Sequence, residues 1–375
     1  MSPCSFLMLN WRDPENPLAG GAERVTLKHM VELIRRGHKV VWFANAFEGA
    51  EPETEIEGIK IVRGGGPGTS IFHAFFCNRK YGPFDLVIDQ HHGIPWFAQW
   101  WSRTKYVAYI HEVLGPIWES FYRWPISSIG QFQEKLIHQF YCDVPFWTVS
   151  ESTRLQLMQE GVVDVLVWPN GTDTEPLSDL PSKSFVEPLK LVVLSRLAPN
   201  KRVSDAIRVL ALLNNSGCSA ELTVVGSGWE RGLLERLVKS LGQVGMVQFK
   251  DNLDDKDKNI ELQNAHLLLH TSMREGWGLN VIEANAMGTP AVVYPVGGLV
   301  DSTVHGVTGL VCKEETPNSL AAEVMNLAAD PVKYQRLREN AWSRSHEFLW
   351  KKVLPLTCNW LETVSYTHLT LPTIA

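Results

Sequence analysis

Glu275 and Glu283 stand eight positions apart in the segment Glu275-Gly276-Trp277-Gly278-Leu279-Asn280-Val281-Ile282-Glu283. Gly276 and Gly278 let the backbone come close to a ligand, and the helix expected from near Gly278 opens with N–H groups that have no partner inside the helix. These groups lie at the positive end of the helix dipole, which suits the diphosphate of a sugar nucleotide. Glu275 precedes the helix and Glu283 sits about a turn and a half inside it, so the two carboxylates are expected to bracket opposite ends of one bound molecule. Their spacing does not suit a glycosidase pair.

A second group lies upstream in Ser195-Arg196-Leu197-Ala198-Pro199-Asn200-Lys201-Arg202, between an apolar run and a helical pattern. A loop at the C-terminal end of a parallel strand is where such sheets bind ligands, and Arg196 and Lys201 there can neutralise a departing diphosphate. Taken alone, an Arg and a Lys on a loop are more often plain surface charges. Gly226-x-Gly228 after another strand invites a dinucleotide reading, but Arg231 stands where the third glycine should be, so a nicotinamide site is not expected. Gly20-Gly21 opens the first helix, and His111-Glu112 and His91-His92 each end a strand.

These groups need a scaffold of alternating strands and helices. Phe6 to Asn10, a helical pattern through Ala22, Val25, His29, Met30, Leu33 and Ile34, and Val40 to Ala44 form a βαβ unit. Strands at 59–62, 86–89, 106–110 and 146–149 extend it into a parallel sheet covered on both faces. Periodicity stops near Pro169-Asn170-Gly171-Thr172-Asp173, and Pro176, Pro181 and Pro188 mark a linker. A second α/β series follows, with strands at 191–194, 222–225, 267–270, 291–294 and 309–311 and helices at 203–213, 233–241 and 278–287. Two similar halves imply a cleft between them. One long helical segment is expected over 331–364.

Together these motifs resemble, in order from about residue 5 to 363, the retaining glycosyltransferases of family four, which have the GT-B fold: two Rossmann-like domains facing an interdomain cleft. The resemblance implies an acceptor-side domain over 1–172, a linker over 173–188, a nucleotide-sugar domain over 189–345 and a helix over 346–363 that returns to the first domain. It implies transfer of a sugar from a nucleotide-diphosphate sugar to an acceptor hydroxyl, in cell-envelope polysaccharide or glycolipid synthesis. Arg196 and Lys201 would hold the diphosphate, Glu275 the transferred sugar, Glu283 the ribose, and His111 the sugar from the first domain. Gly20 and Gly21 look like the family's glycine loop beside the donor phosphates, and Gly276, Gly278, Leu279 and Asn280 complete the donor set. Asp301 stands where the family usually has Glu, and Trp277 where Phe is commoner. No Asp-x-Asp motif ends a strand, so no metal or other cofactor is expected. An epimerase or phosphorylase on the same fold, or a noncatalytic sugar-nucleotide binder, are the alternatives.

Composition agrees with two cores. The 375 residues are 45% hydrophobic and 20% charged, and the net charge of −6 without basic runs argues against nucleic acid as partner. No apolar run reaches the length of a membrane span and the start lacks the blocks of a signal peptide, so a cytoplasmic protein is expected. The 6 cysteines show no metal or disulfide pattern. Nine of the 14 tryptophans precede residue 170, a density that suits core, an acceptor groove, or peripheral contact with the inner membrane face and a lipid-linked acceptor. Residues 364–375 read as the translation of a sequencing adapter, a non-native tail.

Overall fold

A computed structural model describes residues 2–66, 68–251 and 253–366. The first half contributes strands β1 (Ser5–Leu9), β2 (Lys39–Ala44), β3 (Glu53–Ile56), β4 (Ile59–Arg63), β5 (Leu86–Gln90), β6 (Tyr106–Ile110), β7 (Phe146–Thr148) and β8 (Val165–Val167). They form one sheet in the order β3-β4-β2-β1-β5-β6-β7-β8. All neighbours pair in parallel except β3, which runs antiparallel to β4 at the edge, so the expectation of a wholly parallel sheet is corrected there. The Glu57-Gly58 turn, with both residues at positive φ, joins β3 directly to β4, and a direct hairpin can only pair antiparallel. Its alternating exposed and half-buried residues gave no apolar run to mark the strand.

The second half contributes β9 (Leu189–Leu194), β10 (Ala220–Val225), β11 (Val247–Lys250), β12 (Leu267–His270), β13 (Ala291–Val293) and β14 (Gly309–Val311), parallel throughout in the order β11-β10-β9-β12-β13-β14. β1, β5, β9 and β12 are buried on both faces, which is why they read as unbroken apolar runs. In each sheet the order reverses beside its first strand, at β1/β5 and at β9/β12. Loops leaving the C-terminal ends at such a reversal diverge to opposite faces and leave a crevice, where ligands of open α/β sheets bind.

The segment expected as one helix over 331–364 is two: Pro331–Ser345, a 3-10 turn His346–Phe348, and Trp350–Tyr366. The second lies on the helix Gly21–Arg35 of the first half, where Arg36 Nη1 reaches Glu362 at 3.2 Å and His38 Nε2 the same carboxylate at 2.9 Å. The helix continues past 363. Ser365 is buried and its carbonyl accepts from Lys105 Nζ at 2.7 Å, so the first residues of the expected tail, 364–366, continue this helix. The remainder of the expected tail, 367–375, lies outside the described residues. Among the described residues no helix is long and apolar enough to cross a membrane.

Candidate active site

Arg196 and Lys201 leave β9, and Glu275 leaves β12, so both loops stand at the reversal of the second sheet. The β9 loop is held from below by Gly226 and Gly228. A β-carbon at Gly226 would lie 2.0 Å from the Ser195 carbonyl oxygen, and one at Gly228 2.3 Å from that of Leu197. These glycines therefore seat the Arg196 loop. A narrow recess between the loops is lined by Leu194, Ser195, Lys201, His270, Ser272 and Asn280.

Lys201 Nζ lies 2.5 Å from Glu275 Oε1, which also accepts from the Ser272 hydroxyl at 2.9 Å. Burial opposes ionisation of Glu275, but Lys201, His270 and these hydrogen bonds outweigh it and hold the carboxyl below its ordinary value. Burial pushes the neighbouring His270, 3.6 Å from Glu275, down to about 4. Arg196 is exposed and makes no ion pair among the described residues.

Gly278, at φ 83°, is the N-cap of the helix Leu279–Ala286, a conformation that glycine adopts without strain. The Asn280 amide donates to the Leu194 carbonyl at 2.7 Å and so ties this helix to the end of β9. Glu283, expected to hold a ribose, lies 2.9 Å from Lys258 Nζ. Lys258 comes from the helix Asp255–Asn264, which the sequence did not signal because its polar residues carry no helical apolar stripe.

His111 follows β6 on the opposite side. Gln90 Oε1 accepts from Asn10 Nδ2 at 3.1 Å and from Thr26 Oγ1 at 2.8 Å, so its NH2 group faces His111 Nε2 at 3.1 Å. An amide NH2 can only donate, so Nε2 accepts and the proton of the neutral ring sits on Nδ1. Burial, helped by His92 and His29, pushes His111 down to about 3. Gly20 begins the helix Gly21–Arg35, but its N–H already donates to Glu23 Oε2 at 2.7 Å. A β-carbon at Gly21 would sit 3.8 Å from Leu279, so the two helix N-termini face each other across the cleft. His91 is buried against Asp89 at 3.4 Å, whereas His92 is exposed.

The halves touch at several points that the sequence did not reveal. At Gly276, whose backbone is expected to approach a ligand, the first half also comes close: a β-carbon there would lie 2.7 Å from the His111 carbonyl oxygen. Arg274 Nε donates to the Val113 carbonyl at 3.0 Å, and its guanidinium also meets Gln156. Asp301, which stands where the family usually has Glu, bonds the Ser152 hydroxyl at 2.5 Å and the Gly298 N–H at 3.2 Å. Glu112 is also brought in here. Burial, then the charge of Glu275, push its carboxyl up to about 7 against the pull of Lys201 and Arg274, and its Oε2 has no hydrogen-bond partner among the described residues.

Two facing α/β sheets, with cations and helix N-termini gathered where their reversal points meet, define a GT-B architecture. The profile "Glycosyltransferase Family 4" matches residues 19–176 and "Glycosyl transferases group 1" matches 180–344. The chain belongs to this family of glycosyltransferases. It is 29% identical over 227 residues to a glycogen synthase of Mycobacterium tuberculosis, an overlap of 57% of this chain and 55% of that protein. The chain thus spans about half the length of that curated relative. The sucrose-phosphate synthase of Thermosynechococcus elongatus superposes with a TM-score of 0.78 at 19% identity, covering 96% of this chain and 99% of that one. HepE of Anabaena in complex with UDP-glucose superposes at 0.73 and 19% identity, covering 96% and 100%.

Proposed function

We propose that this chain transfers a sugar from a nucleoside-diphosphate sugar to an acceptor hydroxyl, with retention at the anomeric carbon. The observation that carries the reading is the convergence of Arg196, Lys201 and the N-terminus of the helix Leu279–Ala286 at the reversal of the second sheet. As the bond between sugar and diphosphate breaks, negative charge grows on the leaving group, and fixed cations and N–H dipoles stabilise it where it appears. In this reading Lys201 turns from Glu275 to the phosphates and leaves Glu275 free to bond the sugar. Glu283 leaves Lys258 in the same way to hold the ribose. Neutral His111, oriented by Gln90, approaches the sugar from the other side. Gly20, Gly21, Gly276, Gly278, Leu279 and Asn280 form the donor's backbone cradle, and two paired cations make a divalent metal unnecessary. The acceptor is a lipid-linked hydroxyl, a reading supported by the exposed aromatic residues of the first half, among them Trp100, Trp124 and Phe132.

The test is a thermal-shift panel of nucleoside diphosphates and their sugars, with UDP-glucose among them, followed by turnover on the donor that binds. A donor at a hundred times its Kd stabilises by about 2.7 kcal/mol. Turnover is expected to require an added acceptor hydroxyl and to survive EDTA. Sugar isomerisation without an acceptor would replace transfer by epimerisation, and loss with EDTA restored by magnesium would overturn the metal-free mechanism.

A further inference from the structure

The helix Ile126–Phe140 has two apolar faces. Ser127, Gly130, Glu134, Ile137 and His138 pack inward, while Ile126, Ile129, Phe132 and Phe140 are each more than half exposed. At a helical 100° per residue these four span an arc of about 120° on a different side of the helix. The turn before them adds Tyr122 and Trp124, the latter 81% exposed. Aromatic rings extend beyond this helix: the Phe140 ring lies 6.4 Å from Trp100, which stacks on Phe97 at 4.8 Å. Next to it Trp101 meets Phe75 at 6.4 Å on the helix Ser70–Tyr81, which exposes Phe72 and Phe76. An exposed aromatic surface running over three helices is not what a free soluble face looks like.

Its exposed charges are mostly basic. Arg79, Arg103, Arg123 and Lys135 are exposed along it, in a chain whose net charge is −6. Of the acids on these stretches, Glu134 is buried and takes the Leu114 and Gly115 N–H groups, whereas Glu119, which accepts from the Gln131 amide, and Asp143 are exposed, so the exposed cations outnumber the exposed carboxylates. Tryptophan and phenylalanine interleaved with lysine and arginine fit the boundary between lipid headgroups and acyl chains. Pairing with a second copy about a two-fold axis would bring two predominantly cationic faces together, whereas an anionic bilayer satisfies both the rings and the excess positive charge.

We propose that this face docks the chain on an anionic lipid bilayer. Trp124, Ile129 and Phe132 enter the headgroup boundary, and Arg123 and Lys135 lie against lipid phosphates. The helix Ile117–Phe121, just before Trp124, reaches the cleft, where the Ser120 hydroxyl bonds Met273 Sδ at 3.1 Å. Docking therefore sets the cleft beside the bilayer. The proposal deepens the reading of a lipid-linked acceptor and rests on it only for the purpose of docking.

Vesicle flotation tests it with the full chain, using phosphatidylcholine vesicles with and without phosphatidylglycerol. The wild type is expected to float with anionic vesicles, to release in high salt, and to show a blue shift of tryptophan emission on binding. Trp124→Ser/Ile129→Ser/Phe132→Ser is expected to lose tenfold or more of this binding. Arg123→Glu/Lys135→Glu should lose the preference for phosphatidylglycerol. Both variants should keep the wild-type thermal shift with donor, which shows that they fold. A wild type that stays unbound, variants that float as well as the wild type, or a concentration-dependent dimer abolished by the triple substitution would each overturn the proposal. Docking without any sugar transfer would instead count against the transferase reading alone.

Discussion

Each cation beside the cleft stands in a different environment. Arg196 is exposed and makes no ion pair among the described residues, so Arg196→Ala is expected to reduce turnover by about ten- to a hundredfold, because a charge-assisted bond contributes roughly 1.5–3 kcal/mol, with little effect on folding. Lys201→Ala should reduce turnover similarly and also lower the melting temperature, since it leaves Glu275 with the Ser272 hydroxyl but without its cation. Arg236→Ala, on the outer face of the helix Arg231–Ser240, is the control and should change neither. Wild-type turnover in either loop variant would remove that residue from the phosphate site. Glu112 gives a pH signature. It binds its proton more tightly folded than unfolded, so its contribution to stability is full below its ordinary pKa of 4.5 and is lost as pH rises through about 7. Glu112→Gln does not titrate, so its melting temperature relative to the wild type should rise with pH across that interval. A difference that stays flat with pH would show that Glu112 is not held protonated by its surroundings.

Loops and helix starts decide which of these residues meet. The segment Glu275–Glu283 is legible because glycines, a turn and an apolar helix follow one another within a few residues. Gly226 and Gly228 are as visible, yet their purpose is not, because the Ser195 and Leu197 carbonyls they accommodate lie on another strand's loop. Gly276 is similar: its neighbour is the His111 carbonyl of the other half. Gly276→Ala is therefore expected to push the halves apart there, at a cost of about 1–3 kcal/mol, and to raise the donor Kd as well. Small-angle scattering and donor titration check it; an unchanged radius of gyration with normal donor affinity would mean that the contact does not hold the cleft. The helix Asp255–Asn264 and strand β3 escaped notice for one reason. Neither carries the apolar periodicity from which elements are read, and each is fixed by what it packs against.

At the scale of the whole molecule, the two halves are joined by the helix Trp350–Tyr366 and by the contacts of Arg274 and Asp301. Truncation that removes 364–375 should lower the melting temperature more than removal of 367–375 alone, because it takes away the Ser365 contacts with Lys105 and Cys4. Equal melting temperatures for the two truncations would show that the helix end contributes nothing. The chain's order of apolar runs and turns determined by itself that there would be two α/β halves, and where along them the charged loops would fall, since each strand, turn and helix start is written in neighbouring residues. Which side chains meet was decided by tertiary structure alone. Lys201 with Glu275, Lys258 with Glu283, Asp301 with Ser152 and the His111 carbonyl with Gly276 are far apart along the chain. Strand order and the closure of one half on the other bring them together, and neither leaves a mark in local periodicity.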